Sequence, residues 1–267
     1  MSQDNIADPS KPSAGRMYDY YLGGNHNFEV DRQAADQVLQ LMPFSAKYCR
    51  FQRWALQDIA IELAETRGYD VIIDFASGLP TNDHIHLKVP QGTTVIYSDI
   101  DPVVVEYSHE ILQNTPNVYF FQGDARKPEE LLKRPEVEKI LAGRRKIAFV
   151  LWGVTTFLSD EEIQYAMHSL YAWAVPGTCL AFCAQGVDID PQNPEAARVL
   201  KIYEQMGAPL RCRTMDQFIK LVEPWKFDGQ GFISLLEWHG FDNSIMSKED
   251  IESCGPMGGV FGAYLIK

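Results

Sequence analysis

The sequence predicts an α/β fold: a doubly wound, mostly parallel sheet of seven strands, finished by a C-terminal antiparallel hairpin and overlaid by N-terminal helices. From Asp70 onward, short β-rich runs alternate with helical patterns, which argues for a parallel sheet with helices on both faces. Asp74, Asp99 and Asp124 recur at steps of 25 residues, each at the C-terminal end of an expected strand. The last two strand signals, "GFISLLEWHGF" and "GGVFGAYLIK", leave no room for a long crossover helix between them, so the pair is expected to be antiparallel.

Taken in order, residues 1–15 are polar, carry Pro9 and Pro12, and have the composition of a disordered tail. Residues 16–69 read as the helical cover. Helical pattern over Met17–Leu41 is broken by "LGGNHNF", where Gly23 and Gly24 end a first short helix. A further helix over Ser45–Arg67 carries apolar spacing at Phe51, Trp54, Leu56, Ile59 and Leu63. Residues 70–267 form the expected core. Its first five strands are Val71–Phe75, Thr94–Ile100, Val118–Gln122, Ile147–Gly153 and Thr178–Ala184. Helices are expected over Val103–Gln113, Glu129–Leu141 and Asp160–Ala174. The last opens on an S-x-x-E capping box, Ser159 to Glu162, and Pro176-Gly177 marks its exit. Pro194–Met206 and Thr214–Val222, the second with a T-x-x-Q cap, read as helices before the closing strand pair.

Composition narrows the function. With 267 residues, 46% of them hydrophobic, the chain can bury a large core. Lys and Arg number 24 against 36 Asp and Glu, a net charge of -12, with no basic stripe to follow a phosphate backbone; nucleic acid is not the expected partner. No run approaches a membrane-spanning length and the N-terminus has no apolar signal core. The five cysteines form no C-x-x-C pair, so a reducing cytoplasm is expected.

The three aspartates carry the chemistry. Ligands of open α/β sheets bind beyond the carboxyl ends of the strands, and carboxylates aligned there repel one another unless a ligand rich in donors lies among them. The alternative is that each merely starts a loop or caps a helix. In "VIIDFASGLPTNDHIH" the turn after Asp74 holds a single glycine, Gly78, not the G-x-G-x-x-G that lets a pyrophosphate approach a helix N-terminus. Asp99 follows Gly78 by 21 residues, close to the spacing of a ribose-binding acid, and Asp124 with the backbone of Ala125 suits an adenine edge. A ligand with ribose and adenine but no phosphate fits this set, and S-adenosyl-L-methionine is such a ligand.

The stretches "PSAGRMYDYYLGGNHNFEVDR", "DFASGLPTNDHIH", "YSDIDPVVV" and "FQGDAR" together resemble the S-adenosylmethionine-dependent methyltransferases of the formerly uncharacterised type abundant in actinomycetes. The resemblance covers nearly the whole chain after residue 12. It implies a class I methyltransferase, Rossmann-like sheet with N-terminal helices over the donor, and S-adenosyl-L-homocysteine as product. Within it, Asp74, Ala76, Ser77 and Gly78 line the methionine part, Asp99 with neighbouring Ile100 meets the ribose, and Asp124 and Ala125 meet the adenine. Arg16 and Arg53, ahead of Arg50, are raised as cations for the donor carboxylate. Tyr21 belongs to "YDYYLGG", read either as a cover over the site or as the apolar face of a docked helix. The chain departs from the family in having Ala76 where a glycine is usual and His84 where an asparagine is usual; His86 matches.

Trp152 follows the fourth strand, where it either packs or walls the pocket beside a sulfonium. Asp83, His84 and His86 lack further ligand spacing, so no metal is expected. "LWGVTTF" lacks the Asn/Asp-Pro-Pro-Tyr sequence of amide and nucleobase N-methyltransferases, which points to another, small-molecule acceptor. In-line attack on the sulfonium methyl is the expected reaction. His86, an Asp or a Glu is open as general base, and no catalytic residue stands out. Two other readings remain at this level: a donor-binding protein without catalysis, and a nicotinamide oxidoreductase, which the absent G-x-G-x-x-G disfavours.

Overall fold

The computed structural model describes residues 10–267 apart from Asn82 and Asp188. Most of the expected tail, residues 1–9, lies outside the described residues; Ser13, by contrast, is already the residue from which the first helix starts.

In chain order the elements are α1 (Ala14–Tyr21), α2 (Glu29–Leu41), α3 (Ser45–Ile61), β1 (Val71–Phe75), β2 (Thr94–Asp99), α4 (Pro102–Ile111), β3 (Val118–Gln122), α5 (Pro128–Leu132), α6 (Pro135–Leu141), β4 (Ala148–Leu151), α7 (Asp160–Trp173), β5 (Cys179–Gln185), α8 (Pro194–Gln205), α9 (Met215–Leu221), β6 (Lys226–Phe227), β7 (Ile233–Ser234), α10 (Leu235–Trp238), α11 (Lys248–Cys254) and β8 (Val260–Ile266). The sheet runs β3-β2-β1-β4-β5-β8-β6, with β7 also on β8. Strands β1 to β5 are parallel, and β8 is antiparallel to β5, β6 and β7, as expected of the tail.

Central β1 is buried along its whole length, as a parallel strand covered on both faces must be. Its period-two alternation sends Ile72 to one apolar layer, with Ile59 and Leu63 of the N-terminal segment, and Val71, Ile73 and Phe75 to the other, with Leu131, Met167 and Leu170 of α5 and α7. Asp74 shares the Ile72 face by the same alternation. It therefore points under the N-terminal helices.

Three expectations change. The single helix over Glu129–Leu141 is two, because Pro135 has no N–H for a preceding turn and instead starts α6. "GFISLLEWHGF" is not one strand: only Ile233–Ser234 pairs, and Ser234 then caps α10 by accepting from the Glu237 N–H at 3.2 Å. The closing pair is thus no tight hairpin, since α10 and α11 lie between β7 and β8, and β6 is a further segment unforeseen in the sequence. Segments β6 and β7 pair in succession along one edge of β8, joined where the Asp228 N–H donates to the Tyr264 carbonyl at 2.9 Å. The sheet has eight strand segments in seven positions.

The cover is anchored. Met17 is fully buried, and Arg16 Nε donates to Asp31 at 2.7 Å, tying α1 to α2. In the intervening turn Asp19 accepts from the His26 N–H and from Asn27; Gly24 passes so close to this carboxylate that a Cβ would lie 2.1 Å from its oxygen. Trp152 Nε1 donates to the Gln52 carbonyl at 3.0 Å, joining the end of β4 to α3.

Candidate donor and acceptor site

The chain leaves β1 through two left-handed residues, Ala76 at φ 56° and Gly78 at φ 64°. The conformation suits glycine and strains alanine. The turn is held from both sides. The Ser77 N–H donates to the Ser98 carbonyl at 2.9 Å, and the Gly78 N–H donates to Asp99 Oδ2 at 3.0 Å. Behind it, fully buried His84 accepts from the Ile85 N–H at Nδ1, so Nε2 carries the proton and donates to the Ser77 carbonyl at 3.2 Å. Burial, with the Arg53 charge added, holds His84 well below the ordinary imidazole range, so the ring is neutral.

Asp99 closes β2. Its Oδ1 accepts from the Asp101 N–H at 3.0 Å, while burial pushes its carboxyl up to about 6 against the opposing pull of those backbone donors. Asp101 acts differently, as a helix cap. Its Oδ1 accepts from the Val103 N–H at 2.9 Å at the start of α4, with Pro102 as first helical residue.

Asp74 and Arg53 form the most unusual part of the site. Asp74 is 1% exposed, and neither carboxylate oxygen has a hydrogen-bond partner. His84 Nε2, 3.9 Å away, is committed to Ser77. Burial pushes the Asp74 carboxyl well above the usual range, and the Arg53 guanidinium partly offsets this. Arg53 comes from α3, is 3% exposed and leaves Nε and Nη1 without a hydrogen bond; Asp83 lies 3.7 Å from Nη1, and the Tyr18 ring lies 5.6 Å from Cζ. A buried carboxylate without a hydrogen-bond partner is costly, and Asp74 and Arg53 border one cavity.

At the third strand the arrangement is tighter than the sequence suggested. Arg126 Nε reaches both Asp124 oxygens at 2.8 and 2.9 Å, and Arg126 Nη1 lies 3.5 Å from Glu162. The desolvation of Asp124 is outweighed by this guanidinium, which holds its carboxyl below the usual range. Ala125 is buried beside it, while Ile100 is about half exposed at the neighbouring strand end.

These groups border one cavity of about 750 Å³, in the upper part of the span of roughly 300–1,000 Å³ for small-molecule sites. Every residue expected to hold the donor lines it except Arg16. Arg16 lies outside the lining and anchors the cover: besides Asp31 it donates to the Lys11 carbonyl at 2.6 Å. Arg50 is exposed on the outer face of α3. His86 is also outside the lining, its Nδ1 3.0 Å from the Tyr97 hydroxyl. Trp152 both packs, against Trp238 at 6.1 Å between centroids, and borders the cavity. Tyr21 is 4% exposed and likewise borders it.

The sequence reading missed the far wall. Helix α8 brings Val199 and Tyr203 to the cavity, the segment after it adds Met206 and Leu210, and β5 ends there in Gln185. The helix itself was expected over Pro194–Met206, but nothing local says that it lies across the sheet's rim. Among the described residues, no helix is long and apolar enough to cross a membrane.

Residues 1–261 match the model of a family described as S-adenosyl methyltransferase. A methyltransferase candidate from Thermobifida fusca superposes with a TM-score of 0.82 at 25% identity, covering 97% of this chain and 96% of that one. A DUF574 family protein from Streptomyces avermitilis superposes at 0.84 with 24% identity, over 97% and 99% of the two chains. Human N-acetylserotonin methyltransferase, in complex with S-adenosylmethionine, shares the fold at 0.50 and 14% identity over 95% of this chain and 63% of its own. No curated protein matches the sequence. The chain belongs to the S-adenosyl methyltransferase family, and it is an S-adenosylmethionine-dependent methyltransferase of the class I fold.

Proposed function

We propose that this methyltransferase modifies a small molecule taken into the cavity between the strand ends and the N-terminal helices, and that Arg53, Asp74 and Asp99 hold the donor there. The observation that carries the reading is the buried Asp74 carboxylate, with neither oxygen hydrogen-bonded, on one cavity with the buried Arg53 guanidinium, whose Nε and Nη1 make no hydrogen bond. An α-amino acid carries an ammonium and a carboxylate and satisfies both. Asp99, at the end of the adjacent strand, keeps lone pairs for vicinal hydroxyls while its backbone donors fix its orientation. Asp124, steadied by Arg126, and the buried Ala125 backbone are the groups offered to an adenine edge.

S-adenosyl-L-methionine supplies an electrophilic methyl group on a positively charged sulfur, with a neutral thioether as leaving group. The chain's residues need to align the acceptor and exclude water, and such alignment alone is worth several kcal/mol of barrier, about 7–11 at best. The anchored cover keeps water out: α1 and α3 lie over the rim, with Tyr18, Tyr21 and Gln52 turned to the cavity.

Titration calorimetry with S-adenosyl-L-homocysteine tests the donor site. Wild type is expected to bind, and Arg53→Met to bind roughly ten- to a hundredfold more weakly, from loss of charge-assisted bonds of about 1.5–3 kcal/mol. Equal affinity of both proteins would refute the assignment. Transfer of radiolabelled methyl from S-adenosylmethionine into a fractionated small-molecule extract tests the acceptor class. Label appearing only in protein or nucleic acid would overturn it.

A further inference from the structure

The cavity divides along the sheet. Asp74, Asp99 and Asp124 stand at the ends of β1, β2 and β3, so the proposed donor occupies one half of the rim, and the other half lies over the ends of β4 and β5. That second half is of a different nature. Its walls are Trp152, Phe157, Val199, Tyr203, Met206 and Leu210. Phe157 and Tyr203 are tilted against one another at 6.3 Å between centroids, a surface that accommodates a ring. Arg211 also borders the cavity, and its Nη1 donates to the Phe157 carbonyl at 2.8 Å.

A buried polar atom without a partner belongs to a residue that borders this half. Gln185, the last residue of β5, is 4% exposed, and its Oε1 accepts no hydrogen bond. A buried amide oxygen left unpaired costs stability, and β5 sits next to β4 in the middle of the sheet, so Gln185 cannot swing its backbone away to find water. A ligand that enters with an O–H or N–H removes that cost. A charged ligand loses its hydration on entry between these largely apolar walls, and the Arg211 guanidinium that borders them is already hydrogen-bonded to the Phe157 carbonyl.

We propose that the acceptor is an uncharged, mostly apolar ring compound whose hydroxyl or N–H donates to Oε1 of Gln185. This rests on the donor reading above, because it assigns the half of the cavity that the donor leaves.

The test uses the full chain saturated with S-adenosyl-L-homocysteine and four probes of similar size: 2-naphthol, 2-methoxynaphthalene, 2-naphthoate and protonated 2-naphthylmethylamine. Binding is read by calorimetry. Wild type is expected to prefer 2-naphthol over 2-methoxynaphthalene, which has no proton to donate, by roughly two- to tenfold, the worth of one neutral hydrogen bond. Both charged probes are expected to bind at least about tenfold more weakly than 2-naphthol. Gln185→Leu is expected to erase the preference for 2-naphthol while leaving S-adenosyl-L-homocysteine affinity unchanged; Gln185→Met serves if the leucine variant does not fold. The proposal is overturned if a charged probe binds as tightly as 2-naphthol, if the preference survives in the variant, or if none of the probes binds a protein that does bind S-adenosyl-L-homocysteine. Failure to bind S-adenosyl-L-homocysteine itself would remove the donor reading and this proposal with it.

Discussion

Replacing Asp74 by asparagine should separate stability from function. In the free protein the carboxyl sits at 1% exposure with both oxygens unpartnered, so folding at neutral pH must either bury a charge or take up a proton. Its folded-state pKa is raised above the unfolded value, by burial first and by the Asp99 charge in addition, against the Arg53 charge. The folded state therefore binds more protons than the unfolded one over the intervening pH range. The stability contributed by the neutral carboxyl is complete below the unfolded pKa, near 4, and is lost as pH rises through the window up to the folded pKa. Asparagine has the same shape and never ionises, so Asp74→Asn should be at least as stable as wild type at neutral pH. Its advantage should grow by at most about 1.4 kcal/mol per pH unit above about pH 4, each kcal/mol amounting to about 2–4 °C in Tm for a domain of this size. Binding should move the other way. The donor's ammonium loses a charge-assisted partner worth about 1.5–3 kcal/mol, so S-adenosyl-L-homocysteine should bind roughly ten- to a hundredfold more weakly. Thermal denaturation of the free proteins from pH 4 to 8, with calorimetric titration at pH 8, measures both halves. A variant that is less stable than wild type throughout and binds S-adenosyl-L-homocysteine normally would show Asp74 to be a structural residue, and the reasoning about the site would fall.

Other outcomes follow from the same geometry. Asp99→Ala should weaken S-adenosyl-L-homocysteine binding about ten- to a hundredfold, since it removes a hydroxyl acceptor and the brace on the Gly78 N–H together, whereas Asp101→Ala should mainly cost the α4 cap, about 1 kcal/mol, in a denaturant titration. If only Asp101→Ala lost binding, the roles of the two acids would be reversed. Ala76→Gly should leave the protein as stable or up to about 1 kcal/mol more stable, because relief of the left-handed strain, about 1–2 kcal/mol, outweighs the entropy of an added glycine; a loss of more than about 1 kcal/mol would show that the Cβ packs usefully.

Much of the core was legible because it rests on local signals. The β-branched and aromatic run at Val71–Phe75 and the Ser159–Glu162 capping box place elements whose bounds agree with the structure to within a residue. The placing of the three acids on one rim was legible for the same reason: each sits at or just past the end of a strand that the sequence itself delimits. Errors arose where two local signals competed. In "FISLLEW" the β-prone residues suggested a long strand, while Ser234 three residues before Glu237 was an N-cap signature, and the cap prevailed. For Arg16 the sequence shows that a cation is present and not who its partner is; Asp31 is 15 residues away and holds it. The acceptor side was the least legible. Gln185 ends a strand that was expected, yet its significance comes from α8 and the segment after it folding across that strand end, a tertiary fact with no local signature.

The placement of β8 sets an order on how the molecule can assemble. It lies between β5 on one side and β6 and β7 on the other, and it follows all of them in the chain. Until it arrives, β5 is an open edge, and the two-residue segments β6 and β7 have no partner within the sheet. A nascent chain thus holds an unpaired, apolar strand, Cys179–Gln185, while some seventy further residues are made, the situation in which edge-to-edge association is most favoured. The same wait applies to the wall of the cavity, since Trp152 packs over Gly262 of the late strand, where a Cβ would approach the indole to 2.6 Å. Competence to hold ligands is therefore a late event in folding, governed by long-range pairing, which is slow.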